Sequence, residues 1–231
     1  MKTLVIIPSR LSASRLPGKP LLKINGLSII SHVYKKAQEA NIGEVFVAAE
    51  DQEIIEDVKK NGGEAILTNN NHKTGTDRIY EAFVKLGRTD IDLIMNLQGD
   101  EPLMNIEDIQ NLNKHMIQTK RDLGTLAAKI DNKKVFGNLN IVKVITEESL
   151  DDTKFPRAIN FMRKLNKENN QAYHHLGIYC YNVEILKRFI SFKQSQNEIE
   201  NRLEQLRALD NNINVNVALA KSSPIGVDTN E

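Results

Sequence analysis

The sequence predicts an α/β fold with a parallel sheet covered on both faces, and three observations predict it. Short apolar runs at Leu4–Ile7, Val45–Ala49, Ala65–Leu67 and Leu93–Leu97 alternate with segments of helical period. The runs are apolar almost throughout, as strands buried on both faces require. The links between them are short, which favours right-handed βαβ units. At 231 residues the chain suits one large domain, or a domain with an inserted lobe, and can bury a substantial core. We expect a single domain over residues 1–231, with an additional lobe at about 125–200.

The elements follow in order. After the first strand comes a loop, then a helix carrying Ile29, Ile30, Val33, Ala37 and Ala40 on one side. The second strand ends in Glu50-Asp51, and Ile54, Ile55 and Val58 mark a helix that stops at Gly62-Gly63. A polar stretch, Thr68 to Thr76, precedes a helix with Ile79, Phe83 and Leu86. The fourth strand ends in Gln98-Gly99-Asp100-Glu101-Pro102, before a helix from about Asn105 to Gln118 with acidic residues in its first turn. In the second half, Leu126–Lys129, Ile141–Ile145, Leu176–Tyr181 and Val215–Leu219 read as strands. Val183–Ile190 and Glu198–Leu209 read as helices, and Asp151 to Asn170 is charged with little periodicity.

Composition narrows the function classes. There are 31 basic and 30 acidic residues, so no broad nucleic-acid or anionic-membrane surface is expected, and any positive field must be local. The single cysteine, Cys180, lies in an apolar run and reads as a buried thiol in a reducing compartment. The first apolar run is too short for a signal segment, and none approaches a transmembrane span. A soluble cytoplasmic protein is the expectation.

The chemistry concentrates between Met1 and Asn25. The first strand runs into a loop holding Arg10, Arg15 and Lys19, with Ser9, Ser12, Ala13, Ser14 and Gly18 small enough for backbone N–H groups to approach an anion. A basic, small-residue loop at a strand's carboxyl end suits a phosphate group; a solvated loop with scattered charge is the plainer reading. Neither a Walker A loop nor a Gly-x-Gly-x-x-Gly fingerprint is present, which sets ATPase and dinucleotide-dehydrogenase readings behind. Asp100 and Asp228 each stand in a loop, where an Asp is ordinarily a turn or cap residue. Their hard oxygens also suit Mg²⁺.

Arg10 followed by Ser14-Arg15-Leu16-Pro17-Gly18-Lys19-Pro20-Leu21 resembles the signature of the 3-deoxy-manno-octulosonate (Kdo) cytidylyltransferases. The resemblance implies a three-layer Rossmann-like nucleotide-diphospho-sugar transferase fold with a dimerisation lobe. It also implies CTP and an acid sugar as substrates, Mg²⁺ as cofactor, a homodimer, and a place in lipopolysaccharide biosynthesis. Arg10, Arg15 and Lys19 fall on the basic positions around the triphosphate, and Asp100 and Asp228 on the two metal-binding aspartates. His72 to Arg78 resembles the segment that holds cytosine and ribose, implicating Thr74, Gly75 and Arg78, with Gln98 also on the substrate side. An ordinary helix start, with Thr76 as N-cap, is compatible with that role. His175, Tyr179, Glu204 and Gln205 match sugar-side positions, and Arg157 matches one suited to the sugar carboxylate.

The resemblance covers nearly the whole chain through several motifs in order. Departures occur after Arg157, where Ala-Ile-Asn-Phe lacks a proline; at Asn201, in place of an acidic residue; and at Asn230, in place of a proline. Glu231 falls where the family continues into a C-terminal helix. A cytidylyltransferase for another acid sugar, sialic-acid-like or an 8-amino Kdo, would keep the nucleotide side and change the sugar side. A catalytically idle nucleotide-binding protein is the reading from another class.

Overall fold

The computed structural model describes residues 1–12, 16–130, 132, 134–165 and 169–222. The chain divides into two compact units, the first built on Met1–Gln110 and the second on Asn111–Ser223. The expected lobe falls within the second. Among the described residues no helix is long and apolar enough to cross a membrane.

The first unit opens on strand β1 (Thr3–Ser9), whose Leu4 to Ile7 are fully buried. A 3₁₀ turn at Lys19–Leu21 comes after the loop. Strands β2 (Lys23–Ile24) and β3 (Leu27–Ser28) form a small hairpin that the apolar pattern does not announce. It turns at Asn25 and Gly26, both at positive φ (50° and 83°), which Asn-Gly accepts more readily than other pairs. Helix α1 (Ile29–Glu39), strand β4 (Gly43–Ala49), helix α2 (Gln52–Lys60), strand β5 (Ala65–Leu67), helix α3 (Gly75–Leu86) and strand β6 (Leu93–Asn96) complete the alternation.

These strands stand in the order β6-β1-β4-β5, all parallel. The chain winds outward from β1 through β4 to β5, then returns to place β6 on the other side of β1. The crevice at the carboxyl ends of β1 and β6 is therefore a topological switch point, where α/β sheets bind ligands. Helix α4 (Ile106–Thr119) comes next.

In the second unit, strand β7 (Leu123–Ala128), short helix α5 (Lys134–Gly137), strands β8 (Lys143–Thr146), β9 (Ala158–Met162) and β10 (Ala172–Asn182), helices α6 (Val183–Ser191), α7 (Gln196–Asn201) and α8 (Leu206–Asp210), and strand β11 (Val215–Leu219) succeed one another in order. β10 pairs antiparallel with β7 and β8, β9 antiparallel with β8, and β11 parallel with β7.

Three expectations are corrected here. The charged stretch after Asp151 contains β9, whose Ala158 and Phe161 are buried on one face. The helix expected over Glu198–Leu209 breaks at Arg202, which adopts the left-handed conformation (φ 53°). The break has an electrostatic reason. The Arg207 guanidinium meets the Glu198 carboxylate at 2.8 and 2.5 Å, both buried. In an unbroken helix nine residues span about 13.5 Å and face opposite sides, leaving both charges buried and apart. The third correction is the cap of α3, which is Thr74 and not Thr76: Thr74 and Asp77 form a reciprocal capping box.

Candidate active site

The sheet order brings three segments of the first unit around one cleft of about 360 Å³. The end of β1 and its loop contribute Pro8, Ser9, Arg10, Leu16, Lys19 and Pro20. The start of α3 contributes His72 to Gly75 and Arg78, and the turn after β6 contributes Gln98, Gly99 and Asp100. Gly99 is required where it stands, since a Cβ there would come within 2.9 Å of the Pro8 carbonyl oxygen.

Lys19 is buried, and its ammonium donates to Asp100 Oδ2 at 2.9 Å. The Asp100 side chain is 45% exposed, so its carboxylate faces the opening while Lys19 stands at the floor. Arg10 is exposed at the rim. Ser9 carries a buried hydroxyl with no hydrogen-bond partner among the described residues, and it lines the same cleft. Such an atom is available to a ligand. In the sequence Ser9 stood out only as small. Arg15 and Asp228 lie outside the described residues.

The loop before α3 is braced from beneath. Buried Arg78 donates through one terminal nitrogen to Thr68 Oγ1 (2.7 Å) and the Asn69 carbonyl (3.2 Å), and through the other to Glu50. These bonds make Arg78 a brace for the loop. Glu81 holds the other side, accepting from the Asn69 N–H at 3.0 and 3.2 Å, from His72, and from Lys85 at 2.7 Å. Burial raises the Glu81 pKa, but the bonds from Lys85, His72 and Asn69 outweigh it and hold it at about 2. Thr74 and Gly75 are thus presented at the cleft on a pinned segment. Glu50 and Glu81 were not legible as site residues, because their partners lie up to 38 positions away.

On the second unit, His175 and Tyr179 have ring centroids 5.4 Å apart. Four residues of regular strand span about 13 Å, so the contact needs the bulge that β10 makes between Leu176 and Tyr179. Thr125 fixes the bulge. Its Oγ1 lies 2.6 Å from the Ile178 carbonyl oxygen and 3.0 Å from His175 Nε2. The hydroxyl has one proton and gives it to the nearer carbonyl, so Nε2 carries the N–H and Nδ1 keeps its lone pair. Burial pushes the His175 pKa down to about 3, with His174 adding to the shift. Burial also raises Tyr179, helped by Tyr181 and Glu204. His175 is therefore a neutral hydrogen-bonding group.

Gln205 is buried and Glu204 half-buried, with a Glu204 oxygen 3.9 Å from the Arg207 guanidinium. Arg157 stands differently. Its guanidinium is held by Glu147 (2.9 and 3.2 Å) and Asn214 (3.2 Å), and it lines a hollow of about 230 Å³ that His175, Tyr179, Glu204 and Gln205 do not line.

The buried neutral imidazole has a consequence for stability. An unfolded histidine titrates near 6.5 and His175 near 3, so between these values only the unfolded chain takes up the proton. The contribution is whole above pH 6.5 and shrinks as pH falls. Lowering pH from 7 to 5 should cost about 2 kcal/mol through this residue. Urea unfolding at both pH values checks it: His175→Asn should flatten the pH dependence by that amount, and an unchanged slope would exclude His175 as its source.

Fold and cleft together define a Rossmann-like nucleotidyltransferase. Residues 4–216 match the family model for cytidylyltransferases. Full-length relatives narrow this further: the chain belongs to the 3-deoxy-manno-octulosonate cytidylyltransferase family. A protein of that name from Thermodesulfovibrio yellowstonii is 43% identical, over 100% of this chain and 95% of that one. Another from Afipia carboxidovorans is 42% identical, over 98% of this chain and 92% of its own length. A CMP:2-keto-3-deoxy-manno-octonic acid synthetase solved in complex with CTP superposes with a TM-score of 0.89 at 34% identity. That match covers 99% of this chain and 94% of the other.

Proposed function

We propose that this chain joins CTP to 3-deoxy-manno-octulosonate, forming the CMP-sugar and pyrophosphate for lipopolysaccharide biosynthesis in the cytoplasm. The observation that carries the reading is the Lys19–Asp100 pair in a cleft at the switch point of a family member's sheet. The anomeric hydroxyl attacks the α-phosphorus, and the bond to the β-phosphate breaks. Arg10 and Lys19, joined by Arg15, receive the triphosphate and then the leaving pyrophosphate. Thr74, Gly75 and Gln98 meet the cytidine, and Arg78 positions their loop.

The sugar groups are those of the second unit. His175 accepts a sugar hydroxyl proton through Nδ1 as a hydrogen bond, beside Tyr179, Glu204 and Gln205. Arg157 takes the sugar carboxylate by exchanging Glu147 for it.

Mg²⁺ fits the cleft by donor chemistry. Asp100 offers hard oxygens beside the phosphate-binding cations and, with Asp228, would hold the ion. When bound, Mg²⁺ offsets charge on the α-phosphate and pyrophosphate.

Pyrophosphate release from CTP, measured with a panel of 2-keto sugar acids and with ATP as competitor nucleotide, tests the reading. Turnover should require CTP and be highest with 3-deoxy-manno-octulosonate. Highest turnover with a sialic-acid-like or amino-substituted sugar would reassign the sugar, and no turnover with any acid would leave a nucleotide-binding protein.

The second unit supports a homodimer. Strand β9 has β8 as its only ladder partner among the described strands, and Leu139, Ile159 and Ile199 are each more than half exposed. An open edge beside exposed apolar side chains suits a two-fold contact. Sedimentation equilibrium at micromolar concentration should give twice the chain mass of 26.1 kDa, and a monomer would overturn the proposal.

A further inference from the structure

Asp51 departs from a pattern that four other helix starts keep. It precedes α2 in the extended conformation of a capping residue (φ −101°, ψ 125°). Ser28, Thr74, Asn182 and Ser195 hold the same place before α1, α3, α6 and α7, and each side chain accepts an N–H of its own helix. The Asp51 side chain makes no such bond. Its Oδ2 instead accepts the backbone N–H of Leu11 at 2.7 Å, 40 positions away. A residue well suited to cap forgoes the cap for a longer-range contact.

Register explains the reach. β1 and β4 run parallel and end level, Ser9 opposite Ala49. Arg10-Leu11 and Glu50-Asp51 therefore leave the sheet side by side. The Leu11 carbonyl in turn accepts the Gly18 N–H at 3.1 Å, joining the two ends of the basic loop. Next to Asp51, Glu50 accepts from Ser12 Oγ at 3.2 Å while holding Arg78. The acidic pair at the end of β4 thus grips the loop that presents Arg10 and Lys19.

We infer that Asp51 is a positioning residue for the basic loop. Its carboxylate fixes the Leu11 peptide, and the Leu11–Gly18 bond passes that constraint to both ends of the cation-bearing segment. The inference rests on the reading of this loop as the triphosphate site. A carboxylate beside a polyanion site adds unfavourable charge, so what Asp51 contributes there is geometry; a neutral side chain of equal reach should serve as well.

Three substitutions separate this role from helix capping. Serine caps well but is one atom too short to reach Leu11, asparagine caps and reaches, and alanine does neither. Binding of inorganic triphosphate and of CMP is measured by calorimetry, and kcat/KM with CTP by pyrophosphate release. Asp51→Ser and Asp51→Ala should both weaken triphosphate binding and kcat/KM by about tenfold or more, with CMP affinity within twofold of the parent. Asp51→Asn should stay within threefold on every measure.

Parent-like triphosphate binding by Asp51→Ser would overturn the inference, as would equal weakening of CMP, or Asp51→Asn failing as Asp51→Ser does. Hydrogen exchange in the parent protein needs no variant: the Leu11 amide should be protected, and exchange at the rate of an open amide would overturn the tether. A parent that binds no triphosphate would instead overturn the assignment of the loop, and the inference with it, whatever the Leu11 amide shows.

Discussion

Replacing Asp100 with asparagine is expected to lower kcat by about 10³-fold or more while leaving the fold intact. Asp100 leaves the sheet from β6 into the switch-point crevice, and its half-exposed carboxylate is the acidic group that lines the cleft among the described residues. On the proposed reaction it supplies hard, anionic oxygen where charge on the phosphates must be offset, a contribution of several kcal/mol. The amide has the same size and keeps a carbonyl oxygen to accept from Lys19, so the buried ammonium retains a hydrogen bond. The loss should therefore appear in turnover and not in the melting temperature. CTP binding should weaken without vanishing, since Arg10 and Lys19 remain. Full turnover by Asp100→Asn in Mg²⁺ would show that Asp100 is only the ionic partner of Lys19.

The cleft of the first unit was legible because its signals are local. An apolar run such as Leu4–Ile7 must be a buried strand, and the loop after such a strand lies at the sheet's carboxyl edge. Arg10, Lys19 and Asp100 were placed on one edge by that reasoning, and all three line one cleft. The supporting contacts were not legible, because they join residues far apart in sequence. Nothing near Arg78 announces that Glu50 will take its guanidinium, and nothing near Asp51 announces Leu11.

The second unit was harder for a related reason, since its elements are shaped by tertiary pairing that local pattern does not encode. Lys143 is charged, yet it is fully buried in β8, with its ammonium on the carbonyls of Asn138, Ile141 and Arg163 at 2.6 to 2.8 Å. The Glu198–Arg207 pair splits a helix that its apolar spacing would make continuous. The bulge that brings His175 to Tyr179 depends on Thr125, some fifty residues earlier. In each case a buried polar group must find a partner, and the backbone yields to it.

Replacing Lys19 with alanine should cost about 2–4 kcal/mol in transition-state stabilisation, a loss of roughly 30- to 900-fold in kcat/KM with CTP. The side chain is 9% exposed, so its ammonium is already stripped of most water before any ligand arrives. A charge held in that state strengthens little on the way to the transition state through its own desolvation. It acts instead through the charge that develops on the leaving pyrophosphate. The fold should survive, because Asp100 is exposed enough for water to replace the lost ammonium. Lys19→Arg should not restore activity, since a guanidinium needs more room than this buried position allows and spreads its charge over a plane. The discriminating measurement is the ratio of CTP to CMP affinity. If Lys19 serves the phosphates beyond the first, Lys19→Ala should lower CTP affinity and leave CMP affinity nearly unchanged. Equal loss for both would place Lys19 under the cytidine or the α-phosphate, and its tie to Asp100 would then describe a different end of the nucleotide.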